Sequence, residues 1–96
     1  MRMMLRVRIP VEAGNVAFTD GSLGKGIQQA IDTLKPEAAY FFPDDGKRTA
    51  LYVFDLEDVS QIPVIVEPLF QNLHADVSLF PVMNADDVKK GMEQAS

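Results

Sequence analysis

Hydrophobic and polar residues alternate through residues 3–9, and this period of two predicts a first β-strand. Its odd-numbered positions are apolar, and Arg6 and Arg8 lie on the other side. Residues 10–21 then combine Pro, Gly, Asn and Asp without a sustained period, which predicts a long connection. Glu12 lies in this connection just beyond the strand, and its carboxylate is the candidate acid or base for a reaction there.

Helical spacing is found in two longer stretches. Ser22 is the candidate N-cap of the first helix, which a Lys-Pro pair ends. The apolar positions of this helix are Leu23, Ile27, Ala30, Ile31 and Leu34. Asp58 or Ser60 caps the second helix, and its apolar positions are Ile62, Ile65, Val66, Leu69, Phe70 and Leu73. Pro68 removes one backbone hydrogen bond from the second helix, so the helix is expected to kink or divide there unless packing tolerates the proline.

Two aromatic and β-branched runs, residues 38–42 and 49–56, predict the second and third strands. The Asp-Gly pair at 45–46 between them is a hairpin turn signal, because glycine accepts a positive φ. Alternation returns in residues 75–82 as a fourth strand, and Asn84 caps a short last helix.

This order of elements, β-α-β-β-α-β with a terminal helix, predicts an α+β fold of the ferredoxin-like type. A chain of this length and composition is typical of one domain, so residues 1–96 are assigned to a single ferredoxin-like domain. Right-handed crossovers put the first and third strands in the middle of a four-stranded antiparallel sheet, with both main helices on one face. One apolar sheet face would be enough for that arrangement.

The strands nevertheless offer two apolar faces when their residues are sorted by a period of two. The set expected to face the helices is Leu5, Val7, Ile9, Ala39, Phe41, Leu51, Val53, Val77 and Leu79. The opposite set is Arg6, Arg8, Tyr40, Phe42, Tyr52, Phe54, Ser78 and Phe80. Five residues of the opposite set are aromatic, and soluble monomers seldom leave such a patch uncovered. We therefore expect a homodimer in which two sheets lie face to face.

In length, element order and two-faced strands, the chain resembles the dimeric α+β barrel proteins. The stretches KPEAAYF, GKRTALYVFDLED and FPVMNADD more closely resemble a group of small bacterial proteins of unassigned activity. The resemblance implies a dimeric α+β barrel. The wider barrel superfamily includes cofactor-free monooxygenases, isomerases, haem-degrading enzymes and sensor or ligand-binding modules, and a fold alone does not choose among them.

Composition narrows the classes of partner. Fourteen acidic and nine basic residues leave a net charge of −5, which disfavours nucleic acid because phosphate backbones are bound through positive charge. The absence of cysteine excludes disulfides, thiolate metal sites and a cysteine nucleophile. Arginines interrupt the N-terminal apolar run, and no segment reaches the ~18 apolar residues of a membrane span. We therefore expect a cytoplasmic protein that uses neither a metal nor a cofactor.

The candidate ligand-binding residues are four polar side chains of the aromatic-rich set: Arg6, Arg8, Tyr40 and Tyr52. The arginines can orient a carboxylate or an enolate through charge-assisted hydrogen bonds, and the tyrosine hydroxyls can donate to a bound oxygen. In the alternative interpretation, the arginines pair with acids across a dimer interface and the tyrosines pack there.

His74 is the single histidine, so any histidine base must be this residue. It ends the second predicted helix, and its alternative role is therefore a helix C-cap. Haem-degrading barrels use a histidine on this helix, but the tryptophan that accompanies it there has no counterpart in this chain. Asp44 and Asp45, which are followed by Lys47 and Arg48, are interpreted as a solvated turn rather than a metal site.

The first functional hypothesis is a homodimer that binds a small, partly aromatic or anionic molecule between its two sheets. The first alternative is a purely structural or regulatory homodimer without a ligand. The second alternative is an enzyme that resembles a cofactor-free monooxygenase or an isomerase. No motif in the sequence assigns a reaction.

Overall fold

Four strands and four α-helices make up the fold, and the computed structural model describes residues 1–96. The strands are β1 (Arg2–Ile9), β2 (Ala38–Asp44), β3 (Lys47–Asp55) and β4 (Asp76–Pro81). The helices are α1 (Val11–Asp20), α2 (Ser22–Leu34), α3 (Ile62–Leu73) and α4 (Ala85–Ala95), and a 3-10 turn at Val59–Gln61 precedes α3. The strands form one antiparallel sheet in the order β2-β3-β1-β4. The predicted α+β class, central strands and C-terminal helix are confirmed.

Helix α1 is the main departure from the prediction, because residues 10–21 were expected to form a loop. Pro10 precedes the helix, and its carbonyl accepts a hydrogen bond of 2.9 Å from the backbone N–H of Gly14. The two buried residues of α1 are Gly14 and Ala17. The prediction was wrong because hydrophobic periodicity detects large apolar side chains, whereas this helix buries small ones against the sheet.

Gly21 separates α1 from α2 and has a φ of +84°. It is the C-cap of α1 and the N-cap of α2, so the predicted N-cap, Ser22, lies one residue too late. The carboxylate of Asp20 accepts a hydrogen bond of 2.8 Å from the backbone N–H of Ser22. The chain can therefore leave one helix and begin the next within a single residue, since glycine adopts the left-handed conformation without a steric penalty.

The turn between β2 and β3 has the predicted Asp45-Gly46 sequence, with φ values of +53° and +75°. Two positive φ values are the signature of a type I′ turn, whose twist suits a two-residue hairpin. This turn sets the pairing register, in which Tyr40 lies opposite Leu51.

The register shows that the side of β3 turned toward the helices is the opposite of the one predicted. Tyr52 pairs with Leu5 of β1, and residues paired across a sheet share a face. Tyr52 and Phe54 therefore point toward the helices, where they are 3% and 2% exposed. Their assignment to the opposite face was wrong, and Leu51 and Val53 lie on that face instead.

The core lies between the sheet and the helices α2 and α3, as predicted. Its two largest fully buried side chains are Leu5 and Phe54, on the two central strands. Its other buried members are Met3, Val7, Ile9, Leu34, Ala50, Tyr52, Leu56 and Ala75. Pro68 is accommodated inside α3, which continues to Leu73.

Helix α4 contributes no buried residue. A capping box between Asn84 and Asp87 begins it, and the guanidinium of Arg2 donates a 3.0 Å hydrogen bond to Asp87.

The molecule is elongated, with a longest dimension of 52 Å. Its radius of gyration is 15.0 Å, against about 12.5 Å for a compact domain of this length. No helix combines the length and the apolar character that crossing a bilayer requires.

Candidate functional site

We call the side of the sheet opposite the helices the open face. Its central residues are Met4, Arg6, Arg8, Ala38, Tyr40, Phe42, Thr49, Leu51, Val53, Ser78 and Phe80, and Arg2, Asp44, Lys47, Asp55 and Asp76 lie at its margins. Three aromatic rings are exposed on it, with Tyr40 at 63%, Phe42 at 38% and Phe80 at 40%. Aliphatic side chains lie between the rings, so the centre of the open face is largely apolar and is interrupted by Arg6 and Arg8, whereas other charged side chains lie at its margins.

The open face holds three of the four predicted ligand-binding residues: Arg6, Arg8 and Tyr40. In the sheet register, Tyr40, Leu51 and Arg6 lie side by side on neighbouring strands. The Cα atoms of Tyr40 and Arg6 are therefore about 10 Å apart, two strand spacings. Tyr52 lies on the other side of the sheet and does not belong to this group.

Arg8 has a counter-charge within its own chain. Its Nη2 atom donates a hydrogen bond of 2.5 Å to the Oδ2 atom of Asp44, at the end of β2. This hydrogen bond raises the pKa of the Arg8 guanidinium. The Nε atom of the same side chain is buried without a hydrogen-bond partner. Arg6, in contrast, is exposed and forms no salt bridge.

The two catalytic candidates, Glu12 and His74, do not lie on the open face. Glu12 is an exposed residue in the first turn of α1. His74 is the exposed C-cap of α3, as the alternative interpretation predicted, and its backbone N–H donates a 3.1 Å hydrogen bond to the carbonyl of Phe70. His74 borders a depression of about 190 Å³ together with Asp20. Glu12 does not line that depression.

A larger cavity of about 380 Å³ lies between the sheet and the helices α2 and α3, and we call it the helix-side cavity. Small-molecule sites usually occupy ~300–1,000 Å³. Its apolar side chains include Val7, Ile9, Leu23, Ile27, Ala30, Phe41, Ala50, Leu69 and Leu73. Among its lining residues on the helix side of the sheet, Arg48 and Tyr52 carry polar groups.

Helix α1 holds Arg48 in place at this cavity. The Nη1 atom of Arg48 donates a 3.1 Å hydrogen bond to the Oδ1 atom of Asn15, and its guanidinium carbon lies 5.9 Å from the ring centroid of Phe18. A Cβ atom at Gly14 would lie only 2.6 Å from Nη1, so a side chain at that position would displace the Arg48 guanidinium from its present place. No carboxylate forms a salt bridge with Arg48.

Tyr52 lies four residues further along β3 on the same face, which corresponds to about 13 Å between the two Cα atoms. Its ring packs edge to face against Phe41, with 5.7 Å between the centroids and an interplanar angle of 82°. Burial raises the pKa of the Tyr52 phenol above its ordinary value. The phenol therefore stays protonated and uncharged at neutral pH.

Arg48 was not predicted as a site residue, because its position next to the Asp45-Gly46 turn indicated a solvated turn. The sequence signal that could have found Arg48 was the two-residue turn, which pairs Pro43 with Arg48 and puts Arg48 on the same face as Ile9.

Comparison with protein-family models, with curated proteins and with solved structures finds no match for this chain. No group of three or more His, Cys, Asp or Glu side chains is arranged to hold a metal ion.

Proposed function

We propose that the protein is a homodimer that pairs through the open face and binds a small, partly aromatic or anionic molecule between its two sheets. The observation that carries this proposal is the open face itself. It presents three exposed rings and a central arginine, Arg6, that has no acidic partner. A solvated monomer leaves this apolar surface in water, whereas a second copy removes it.

The surface area of the chain supports association. The accessible surface is 6630 Å², whereas a compact monomer of 10.6 kDa exposes about 5,500 Å². The excess of roughly 1,000 Å² is similar to the ~800 Å² that each partner buries in a standard protein interface. A two-fold axis through the open face would apply the same patch to itself, as closed dimers require.

Arg6 gives the reason for an anionic ligand. Pairing of the open faces would remove two copies of Arg6 from water, and a buried guanidinium needs a counter-charge. Arg8 does not supply the same argument, since Asp44 already neutralises it. A carboxylate suits the planar guanidinium through paired hydrogen bonds, and Tyr40 adds an aromatic surface nearby.

Val53→Lys is expected to dissociate the dimer, because a charged side chain would enter the apolar interface. We expect the dimer dissociation constant to rise roughly tenfold or more. Val64→Lys is the matched control, since Val64 is 70% exposed on α3. Sedimentation velocity at micromolar concentration measures both variants. A wild-type chain that sediments as a folded monomer would contradict the proposal.

A second experiment separates ligand binding from a purely structural dimer, in which Arg6 pairs with the partner subunit's Asp76. Asp76 ends the open face beside Arg8 and is exposed. Under our proposal, Arg6→Met weakens calorimetric binding of benzoate roughly tenfold and leaves the dimer intact, while Asp76→Asn changes neither. Under the structural alternative, both substitutions weaken the dimer and benzoate does not bind.

A further inference from the structure

We infer that the helix-side cavity is a second binding site, which takes an elongated apolar carboxylate such as a medium-chain fatty acid. The cavity lies on the opposite side of the sheet from the open face. It is formed within one chain, so the inference does not rest on dimerisation or on a ligand between the sheets. It goes beyond the proposed function by adding a site with its own chemistry.

The shape and lining of the cavity indicate an apolar ligand body. Eleven of its fifteen lining residues are hydrophobic, and they come from three strands and two helices. The edge-to-face pair of Phe41 and Tyr52 contributes two aromatic side chains to the wall. An alkyl chain placed there would replace water against apolar side chains, which is favourable in proportion to the apolar area covered.

Arg48 indicates a carboxylate at one end. Its guanidinium is held by a neutral amide, Asn15, and by the face of an aromatic ring, Phe18. Neither partner cancels the positive charge, although the chain has five more acidic than basic residues. A carboxylate would supply that missing charge through hydrogen bonds that the guanidinium geometry favours. Arg48 is the only charged residue among the fifteen that line the cavity.

Calorimetry with decanoate and decanol tests the site, with both probes kept below the concentration at which decanoate forms micelles. Because the two molecules share an alkyl chain, their affinities differ by the contribution of the charged head. We expect the wild-type protein to bind decanoate roughly tenfold more tightly than decanol. Arg48→Met should abolish that preference. Arg6→Met, the same substitution on the open face, should preserve it.

Ala30→Phe provides an independent test that retains Arg48. The new ring would occupy the cavity, so binding of both probes should weaken roughly tenfold or more. Equal affinities for decanoate and decanol in the wild type would overturn the inference, even if Arg48→Met does not fold. Decanoate binding that Ala30→Phe leaves unchanged would also overturn it. The Val53→Lys monomer should still bind decanoate, which separates this site from the proposed dimer.

Discussion

Replacing Phe54 with alanine is expected to lower the free energy of unfolding by about 3–5 kcal/mol, the largest effect of any substitution proposed for this protein. Phe54 is 2% exposed and lies on a central strand among the buried core side chains. Truncation would remove the ring from contact with β1 and the helices and leave a cavity that the rigid sheet cannot fill. Urea denaturation followed by circular dichroism measures the change.

Phe70→Ala is the matched control for this prediction. The same ring is removed, but Phe70 is 40% exposed on α3, so we expect a loss of about 1 kcal/mol. Both variants should be compared with the wild type at one protein concentration, since association stabilises the folded state by mass action. Equal losses for Phe54→Ala and Phe70→Ala would show that β3 does not face the helices as described.

Gly21→Val is expected to destabilise the fold by about 2 kcal/mol. The φ of +84° at Gly21 is a conformation that a β-branched residue adopts only with steric strain. No heavy atom lies within 4 Å of a Cβ built at this position, so the expected cost is conformational rather than a collision with a neighbour. Thermal and urea unfolding both report it.

Gly24→Val is the control for backbone conformation, because Gly24 lies three residues later inside α2 and also has open space around its Cβ position. Valine is a slightly better helix former than glycine, so this substitution should change stability by less than about 0.5 kcal/mol. If Gly21→Val were as harmless as Gly24→Val, the tight junction between α1 and α2 would be wrong.

Much of the architecture was predictable from local signals. Alternation in β1 and β4, helical spacing in α2 and α3, and the Asn84 cap of α4 each reflect a period or a cap that the neighbouring residues determine. The Asp45-Gly46 turn belongs to the same group, since positive φ values restrict the residue types that fit. These elements together specify the α+β class and the order of the strands.

Two features escaped the prediction for different physical reasons. Helix α1 buries Gly14 and Ala17, and small residues produce no recognisable apolar stripe. The orientation of β3 was predicted wrongly because a period of two separates the two faces of a strand without showing which of them is turned to the helices, and the two-residue turn pairs Tyr40 with Leu51. Turn length determines the register of a hairpin and therefore which residues share a face.

In the candidate sites, too, the residues placed by the period of a strand were predictable, whereas those placed by contacts between distant elements were not. Arg6, Arg8 and Tyr40 share the predicted face because the period of β1 and β2 was assigned correctly. The pairing of Arg8 with Asp44 was not predictable from spacing, since the two residues meet across an intervening strand. Arg48 became recognisable as a site residue only when the hairpin register and α1 were both known.

The two outer strands of the sheet carry a proline each, Pro43 in β2 and Pro81 in β4. A proline offers no amide hydrogen, so each sheet edge lacks one of the donors that another chain would need in order to extend the ladder. Growth into continuous intermolecular sheets, the route toward fibrillar aggregates, is therefore disfavoured at both margins.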